Sequence, residues 1–325
     1  MKTLVLSQAD VAQCVGSGEA LEMVEYVFAE WGKGRIVMPP KVTLDMSASG
    51  AESWSNAMPA YVVSRGAAGV KWIGGHGGNA QRGLPYIIGV ILLTDPQTGE
   101  TLAIMDGALI TTLRTGASAA IACKYLARKD PRTIAIIGAG TQGRSCMASL
   151  HLLYRSAAVR IADASEERRS AFRKEMSEQA GNKITEAEDV EAAVRGADIV
   201  VLVTTATSPI VRKAWIAEGA LVLGMGSYQQ IEDAIATSAD KIVVDSWDQA
   251  AHRGDLRSLV GKGKIERRHV YAELGEIVAG RKPGRATDQE HILVALVGLG
   301  AHDICIAQHV YRRALEMGLG QQVEL

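Results

Sequence analysis

The chain has 325 residues, with 35 Lys or Arg against 36 Asp or Glu and a formal net charge of −1 at pH 7. No block of like charge stands out, which argues against nucleic acid and anionic membranes as partners. The opening "MKTLVLSQAD" is too briefly apolar for a secretion signal and no span of about 18 apolar residues follows, so a soluble cytoplasmic protein is expected.

Single cores stop growing at roughly 250–300 residues, so two domains are expected. In chain order, "SGEALEMVEYVFAEWGKG" (17–34) sets Leu21, Val24, Phe28 and Trp31 on one helical face and stops at Gly32 and Gly34. "KVTLDM" (41–46), "AMPAYVV" (57–63), "GVKWIG" (69–74), "YIIGVILLTD" (86–95) and "TLAIMD" (101–106) then read as a mostly antiparallel sheet. Asp95-Pro-Gln-Thr-Gly99 supplies the turn chemistry of a hairpin between the last two. From residue 133 the pattern changes: "TIAIIG" (133–138), "VRIAD" (159–163), "DIVVLVTT" (198–205), "ALVLGMG" (220–226) and "KIVVDS" (241–246) are apolar on both faces, as a parallel sheet covered by helices requires. At the end, "AHDICIAQHVYRRALEMGLG" (301–320) offers Ile304, Ala307, Tyr311, Ala314 and Leu315 at helical spacing before Gly318, a helix expected to fold back onto the first domain. Cys14, Cys123, Cys146 and Cys305 form neither a CxxC pair nor a zinc-ligand rhythm. They read as buried small residues, and no metal site is expected. The fold class is therefore α/β: a Rossmann-type doubly wound parallel sheet plus a smaller α+β domain.

"IAIIGAGTQGRS" (134–145) carries the most explicit motif. In Gly138-Ala139-Gly140-Thr141-Gln142-Gly143 the first glycine permits a tight turn and the second lets backbone approach a pyrophosphate. The third lets the next helix pack on its strand, with the helix N-terminus facing the phosphates. Asp163 ends the next strand 163 − 143 = 20 residues on, where an acid holds the adenosine ribose hydroxyls, or else caps the strand end. Ala164 and Ser165 follow it and the nearest arginine is Arg168, so NAD(H) is expected over NADP(H). Thr204, Thr205 and Ala206 end the fourth of these strands, along the crevice where such sheets bind ligands. Lys71 sits in an apolar strand, where a buried ammonium needs an anionic ligand, unless that face is an exposed sheet edge. Arg114 in "TTLRTGAS" has the fork geometry for a carboxylate or for a structural ion pair. His76 and Asn79 lie in the glycine-rich "GGHGGN", a loop that either closes on a substrate or is a surface turn, and "HRGDL" (252–256) reads as a solvated loop or as an anion-reading histidine–arginine pair.

The segments "MPPKVTLDM", "NAMPAYVV", "GVKWIGGHGGNAQRGLP", "GVILLTDPQTGETLAIMDGALITTLRTGASAAIACKYLARKD", "IAIIGAGTQGRS" and "GLGAHDICIAQHVYRRA" together resemble the ornithine cyclodeaminase/mu-crystallin family over nearly the whole chain. The resemblance implies a substrate-binding and dimerisation domain at 1–117 and 304–325, with an NAD-binding domain at 118–303 inserted. It implies substrate binding by Lys71, carboxylate binding by Arg114, and an α-carboxylate contact from Lys41 where many relatives carry arginine. Thr115, Gly116 and Ser118 would lie near the cofactor phosphates, and His302-Asp303 near the nicotinamide or as a helix cap.

Two departures matter. The cyclodeaminases carry an acid after the fifth strand and another ahead of Met-Pro, whereas this chain has Ser227-Tyr228 and Asn56, with Asp45 and Glu52 the only nearby acids able to substitute. The expected function is a homodimeric NAD(H)-dependent imine reductase or amino acid dehydrogenase, taking a small 2-imino acid such as iminosuccinate or iminopropionate to the L-amino acid. The catalytic residues would be Lys71 and Arg114, and His76 or the His252-Arg253 pair would read a second carboxylate. Ornithine cyclodeamination and a non-catalytic, crystallin-like NADH-binding protein are the alternatives.

Overall fold

The computed structural model describes residues 2–50, 52–181 and 183–325. They form two compact units, Met1–Arg114 with Leu299–Leu325, and Thr115–Gly298. The chain thus leaves the first unit at Arg114 and returns to it at Leu299, against expected boundaries of 117 and 304, so His302 and Asp303 belong to the first unit.

The strands of the first unit are β1 (Lys2–Leu6), β2 (Ile36–Val37), β3 (Val42–Asp45), β4 (Ser53–Val62), β5 (Ala67–His76), β6 (Ile87–Thr94) and β7 (Thr101–Asp106). The second unit contributes β8 (Thr133–Ile137), β9 (Ala158–Ala162), β10 (Ile184–Glu186), β11 (Ile199–Leu202), β12 (Leu221–Gly224), β13 (Lys241–Val244), β14 (Ala272–Glu273) and β15 (Ile292–Ala295), and β16 (Gln321–Glu324) returns to the first.

The first sheet runs β16-β1-β7-β6-β5-β4-β2, with β3 also paired to β4. From β4 to β7 it is an antiparallel meander, while β1 lies parallel to β7. The β6–β7 turn follows its sequence chemistry: the Asp95 carboxylate accepts from the N–H groups of Gln97 and Thr98 at 2.7 and 3.0 Å, and Gly99 takes φ +78°. Strand alternation sorts the sheet into two faces. Met58, Lys71, Ile91 and Met105, aligned across β4–β7, are all buried. The helices Ser17–Gly32 and Gly300–Met317 pack together, the latter on β4, β5 and β6. On the opposite face Trp72, Ile88 and Val90 are 43%, 43% and 45% exposed.

A Cβ on Gly300 would come within 3.0 Å of the Met58 carbonyl, so the last helix starts flush against β4. Ile304, Ala307 and Ala314 are buried as their spacing predicts, whereas Tyr311 is half-buried and Leu315, in the last turn before Gly318, is 49% exposed. Phe28, fully buried, meets the His302 ring edge-on at 4.5 Å between centroids.

The second sheet is parallel throughout, in the order β10-β9-β8-β11-β12-β15-β13-β14. The chain goes from β8 to β9 on one side and later to β11 on the other, which makes the carboxyl ends of β8 and β11 a topological switch point, where such sheets bind ligands. The four cysteines are free and buried, as expected. Among the described residues no helix is long and apolar enough to cross a membrane, and no group of His, Cys, Asp and Glu could hold a metal ion.

Phe28→Ala should lower the unfolding free energy by about 3–5 kcal/mol, the usual cost of emptying a buried aromatic site. Equilibrium denaturation of the purified variant checks this.

Candidate functional site

In the first unit Lys71 stands on the covered face of the sheet with its side chain fully buried. Its ammonium Nζ lies 2.8 Å from Asp303 Oδ2 and donates to Thr111 Oγ1 at 3.0 Å. Thr111 in turn donates to the Gly107 carbonyl at 2.7 Å, which fixes its lone pairs toward the lysine. Arg114, on the same helix (Ala108–Leu126), brings Nε within 3.4 Å of Asp303 Oδ1 with its side chain 11% exposed. One carboxylate therefore sits between two cations that come from a strand and a helix distant in sequence.

The electrostatics follow from burial. Desolvation, helped by Arg114 and opposed by Asp303, pulls the Lys71 ammonium down from 10.5 to about 8. Desolvation works against ionisation of Asp303 too, but the Lys71 and Arg114 charges outweigh it and hold its pKa below the ordinary carboxylate value. Burial, with Arg114 adding to it, takes His302 down to about 3, so its imidazole is neutral.

Other expected residues are distributed less simply. His76 is the last residue of β5, not part of a loop; five positions from Lys71, it projects from the opposite face of the sheet, and its Nδ1 shares a 2.8 Å hydrogen bond with Ser53 Oγ across the strand pair. Lys41 is half-buried one residue ahead of β3. Asn79 is buried and donates to the Pro85 carbonyl at 2.7 Å. Asn56 is buried on β4, its Oδ1 accepting from Thr43 at 2.6 Å. Asp45 is turned onto the backbone of Ser47 at 2.9 Å. Asp303, expected as a helix cap or a neighbour of the nicotinamide, is the residue that organises the cluster. A lysine in an apolar strand was the signal that such a partner had to exist.

In the second unit the three glycines separate cleanly by role. Gly138 has φ +115°, and a Cβ there would lie 2.7 Å from the Val203 carbonyl. A Cβ on Gly143 would come within 2.0 Å of the Gly138 carbonyl, so the helix Thr141–Leu153 packs on its turn only because no side chain is there. Around Gly140 there is open space, and this residue begins the helix without a side-chain cap, the arrangement in which first-turn N–H groups of a helix can cradle an anion.

Asp163 follows β9 and is oriented by two backbone donors, Ala139 N–H at 2.8 Å and Ser165 N–H at 2.9 Å. A carboxylate held this way has lone pairs left for two hydroxyls. Thr204, Thr205 and Ala206 follow β11 in a turn where Ala206 N–H donates to Thr204 Oγ1 at 3.1 Å. Thr115 opens the unit on the helix that carries Arg114, and Gly116 two residues past Arg114 allows that helix to touch Ser145, whose carbonyl a Cβ would meet at 2.2 Å. His252 is exposed and Arg253 half-buried, but Gly254–Leu256 is a buried turn, so "HRGDL" is not a solvated loop throughout. Tyr228, beyond β12, is 38% exposed.

Three solved structures resemble this chain closely. The Δ1-pyrroline-2-carboxylate reductase of Thermococcus litoralis, in complex with NADH and L-proline, has 33% identity and a TM-score of 0.94, covering 99% of this chain and 100% of that one. An archaeal alanine dehydrogenase dimer with bound NAD has 35% identity and a TM-score of 0.94, each chain covered in full. The iminosuccinate reductase of Paracoccus denitrificans, in complex with NAD+, has 26% identity and a TM-score of 0.91, again with both chains covered in full. Residues 1–318 match the model of one family, and the chain belongs to it: the ornithine cyclodeaminase/mu-crystallin family.

Proposed function

We propose that this chain is an NAD(H)-dependent oxidoreductase of C=N and CH–NH2 groups, interconverting a small 2-imino acid and its L-amino acid as a cytoplasmic homodimer. The observation that carries this reading is the buried cluster of Lys71, Arg114 and Asp303, in which two cations face one carboxylate at 2.8 and 3.4 Å and leave a positive balance for a ligand carboxylate. Arg114 would hold that carboxylate through its guanidinium fork, which is pre-organised for two-point binding. Lys71, with a pKa of about 8, can give or take a proton near neutral pH; it would deliver one to the substrate nitrogen in reduction and remove it in oxidation. NADH, when bound, supplies the hydride that the imine carbon receives. Gly138, Gly140, Thr141, Gln142 and Gly143 would hold its pyrophosphate, Asp163 its adenosine ribose, and Thr204–Ala206 the crevice wall, with Thr115 nearby. The open space at Gly140 and the two-donor orientation of Asp163 support that fit.

His76 projects away from the Lys71 face, so it adds no second carboxylate contact on that face. This favours a small uncharged side chain, as in iminopropionate, over iminosuccinate. Cyclodeamination of ornithine is disfavoured because the amide of Asn56, with its Oδ1 engaged by Thr43, stands where an acid would hold a distal ammonium. A purely NADH-binding role leaves a fully buried ion pair without a purpose. The exposed apolar side chains of Trp72, Ile88 and Val90 on the open sheet face support a second copy of the chain as partner.

NADH oxidation by the purified protein should be strongest with pyruvate plus ammonia, weaker with oxaloacetate plus ammonia, and no proline should form from L-ornithine with catalytic NAD+. Proline with stoichiometric ammonia would promote cyclodeamination, and equal efficiency with oxaloacetate would restore a second carboxylate site. Steady-state kinetics should show preference for NADH over NADPH, and Asp163→Ser should relax it chiefly through KM; equal kcat/KM for both cofactors in the wild type would remove Asp163 from the ribose site. Reductive activity should decline as pH rises through about 8, where Lys71 loses its proton. Because Asp303 holds that proton on, Asp303→Asn should move the limb to lower pH and lower kcat; an unmoved limb would uncouple Lys71 from the profile.

A further inference from the structure

We infer that Gln230, clamped by the buried carboxylate of Asp255, is a positioning residue that shapes the Thr204–Ala206 turn for NAD(H); the inference rests on the nucleotide reading of the second unit. Gln230 follows β12 and is fully buried, and its side-chain amide donates to the Thr204 carbonyl at 2.8 Å and to the Ala206 carbonyl at 3.1 Å. Both amide hydrogens are thus committed to one turn. The Gln230 backbone is held equally firmly: its N–H donates to Asp255 Oδ1 at 2.7 Å, alongside Ile231 N–H at 3.2 Å, and its carbonyl accepts from Ile210 and Val211 at 2.8 and 3.2 Å. A Cβ on Gly226 would meet the Gln230 amide at 2.8 Å, so the glycine makes room for it.

The braced turn matters because of what it adjoins. A Cβ on Gly138 would lie 2.7 Å from the Val203 carbonyl and 3.2 Å from Thr204 Cγ2, so the turn after β11 abuts the first glycine of the phosphate-binding turn at the switch point. Displacing Thr204 would alter the wall opposite the cradle. Asp255 makes the brace costly. Its side chain is buried, Oδ2 has no hydrogen-bond partner among the described residues and lies against Gly224, where a Cβ would come within 1.9 Å. Burial accordingly pushes its pKa up to about 6, against the pull of two backbone donors. A neutral acceptor would hold the same two N–H groups without that cost, which makes Asp255→Asn a conservative replacement for the clamp.

The test measures NADH affinity by fluorescence titration of the folded proteins, with thermal denaturation and steady-state kinetics alongside. Gln230→Met keeps the bulk and removes both donors; its Kd and KM for NADH should rise about tenfold, on the scale of one or two lost hydrogen bonds, with KM for the imino acid unchanged. Gln230→Glu is nearly isosteric but at about pH 8 sets a carboxylate against two carbonyls. Its affinity relative to wild type should recover as pH falls toward about 6, because the protonated form donates one bond again. Asp255→Asn should stay within about twofold of wild type. Wild-type affinity in both folded Gln230 variants would overturn the inference alone, as would lowered thermal stability at unchanged affinity. Absence of NADH binding by the wild type would overturn the nucleotide reading, and the inference with it.

Discussion

The first unit is arranged around one ammonium group that cannot be left alone. Lys71 is fully enclosed on the covered face of its sheet, where an unpaired charge would cost several kcal/mol. Its counter-charge comes from Asp303, more than two hundred positions away in the chain. The return of the chain at Leu299, the small residue at Gly300 that lets the last helix lie on β4, and the pairing of β16 with β1 are what bring Asp303 there. An ion pair of this kind is a poor way to gain stability, since an apolar pair of similar volume would serve as well or better. Its retention with the Arg114 guanidinium alongside is better explained by what the cluster does than by what it holds together.

The second unit answers a different constraint, close approach of backbone. Gly138 and Gly143 are required by the structure itself, because a side chain at either would collide with a carbonyl. Gly140 is not so required: its φ is negative and the space around it is open. Of the three, then, Gly140 is the one with no local structural reason to be glycine, and its open surroundings are what the proposed nucleotide reading draws on.

Much of this was legible in the sequence, and the reasons differ by element. The strands β4–β7 and the buried strands of the parallel sheet carry long or uniformly apolar runs, and the hairpin turn and nucleotide glycines carry backbone chemistry that few alternatives satisfy. β10 and β14 were not legible: they are three and two residues long, too short for periodicity to speak, and β15, though as apolar as β11–β13, is absent from the expected strands. β16, "QQVE", is polar and mostly exposed, and is a strand only because β1 offers it an edge. In the site, Lys71 and Arg114 announced a need for an anion, but their pairing through Asp303 is a tertiary fact. His76 misled because four glycines nearby suggested a loop, whereas β5 continues through Gly74 and Gly75 with Trp54 and Tyr86 packed over the missing side chain of Gly75.

The charge balance of the cluster bears on substrate choice. Asp303, Lys71 and Arg114 together carry one net positive charge below the Lys71 pKa of about 8, and a monocarboxylate cancels it. In the proposed reaction an incoming carboxylate would work with Asp303, raising the lysine's affinity for its proton and so loading the proposed donor as the acceptor arrives. A cation forming at the substrate nitrogen acts the other way and pushes that proton off. On that reading the lysine would be retuned by each charge the substrate presents, within an enclosure that screens little. A substrate bringing an additional ammonium would upset this balance with no further acid described in the cluster to receive it, whereas a small neutral side chain leaves it intact.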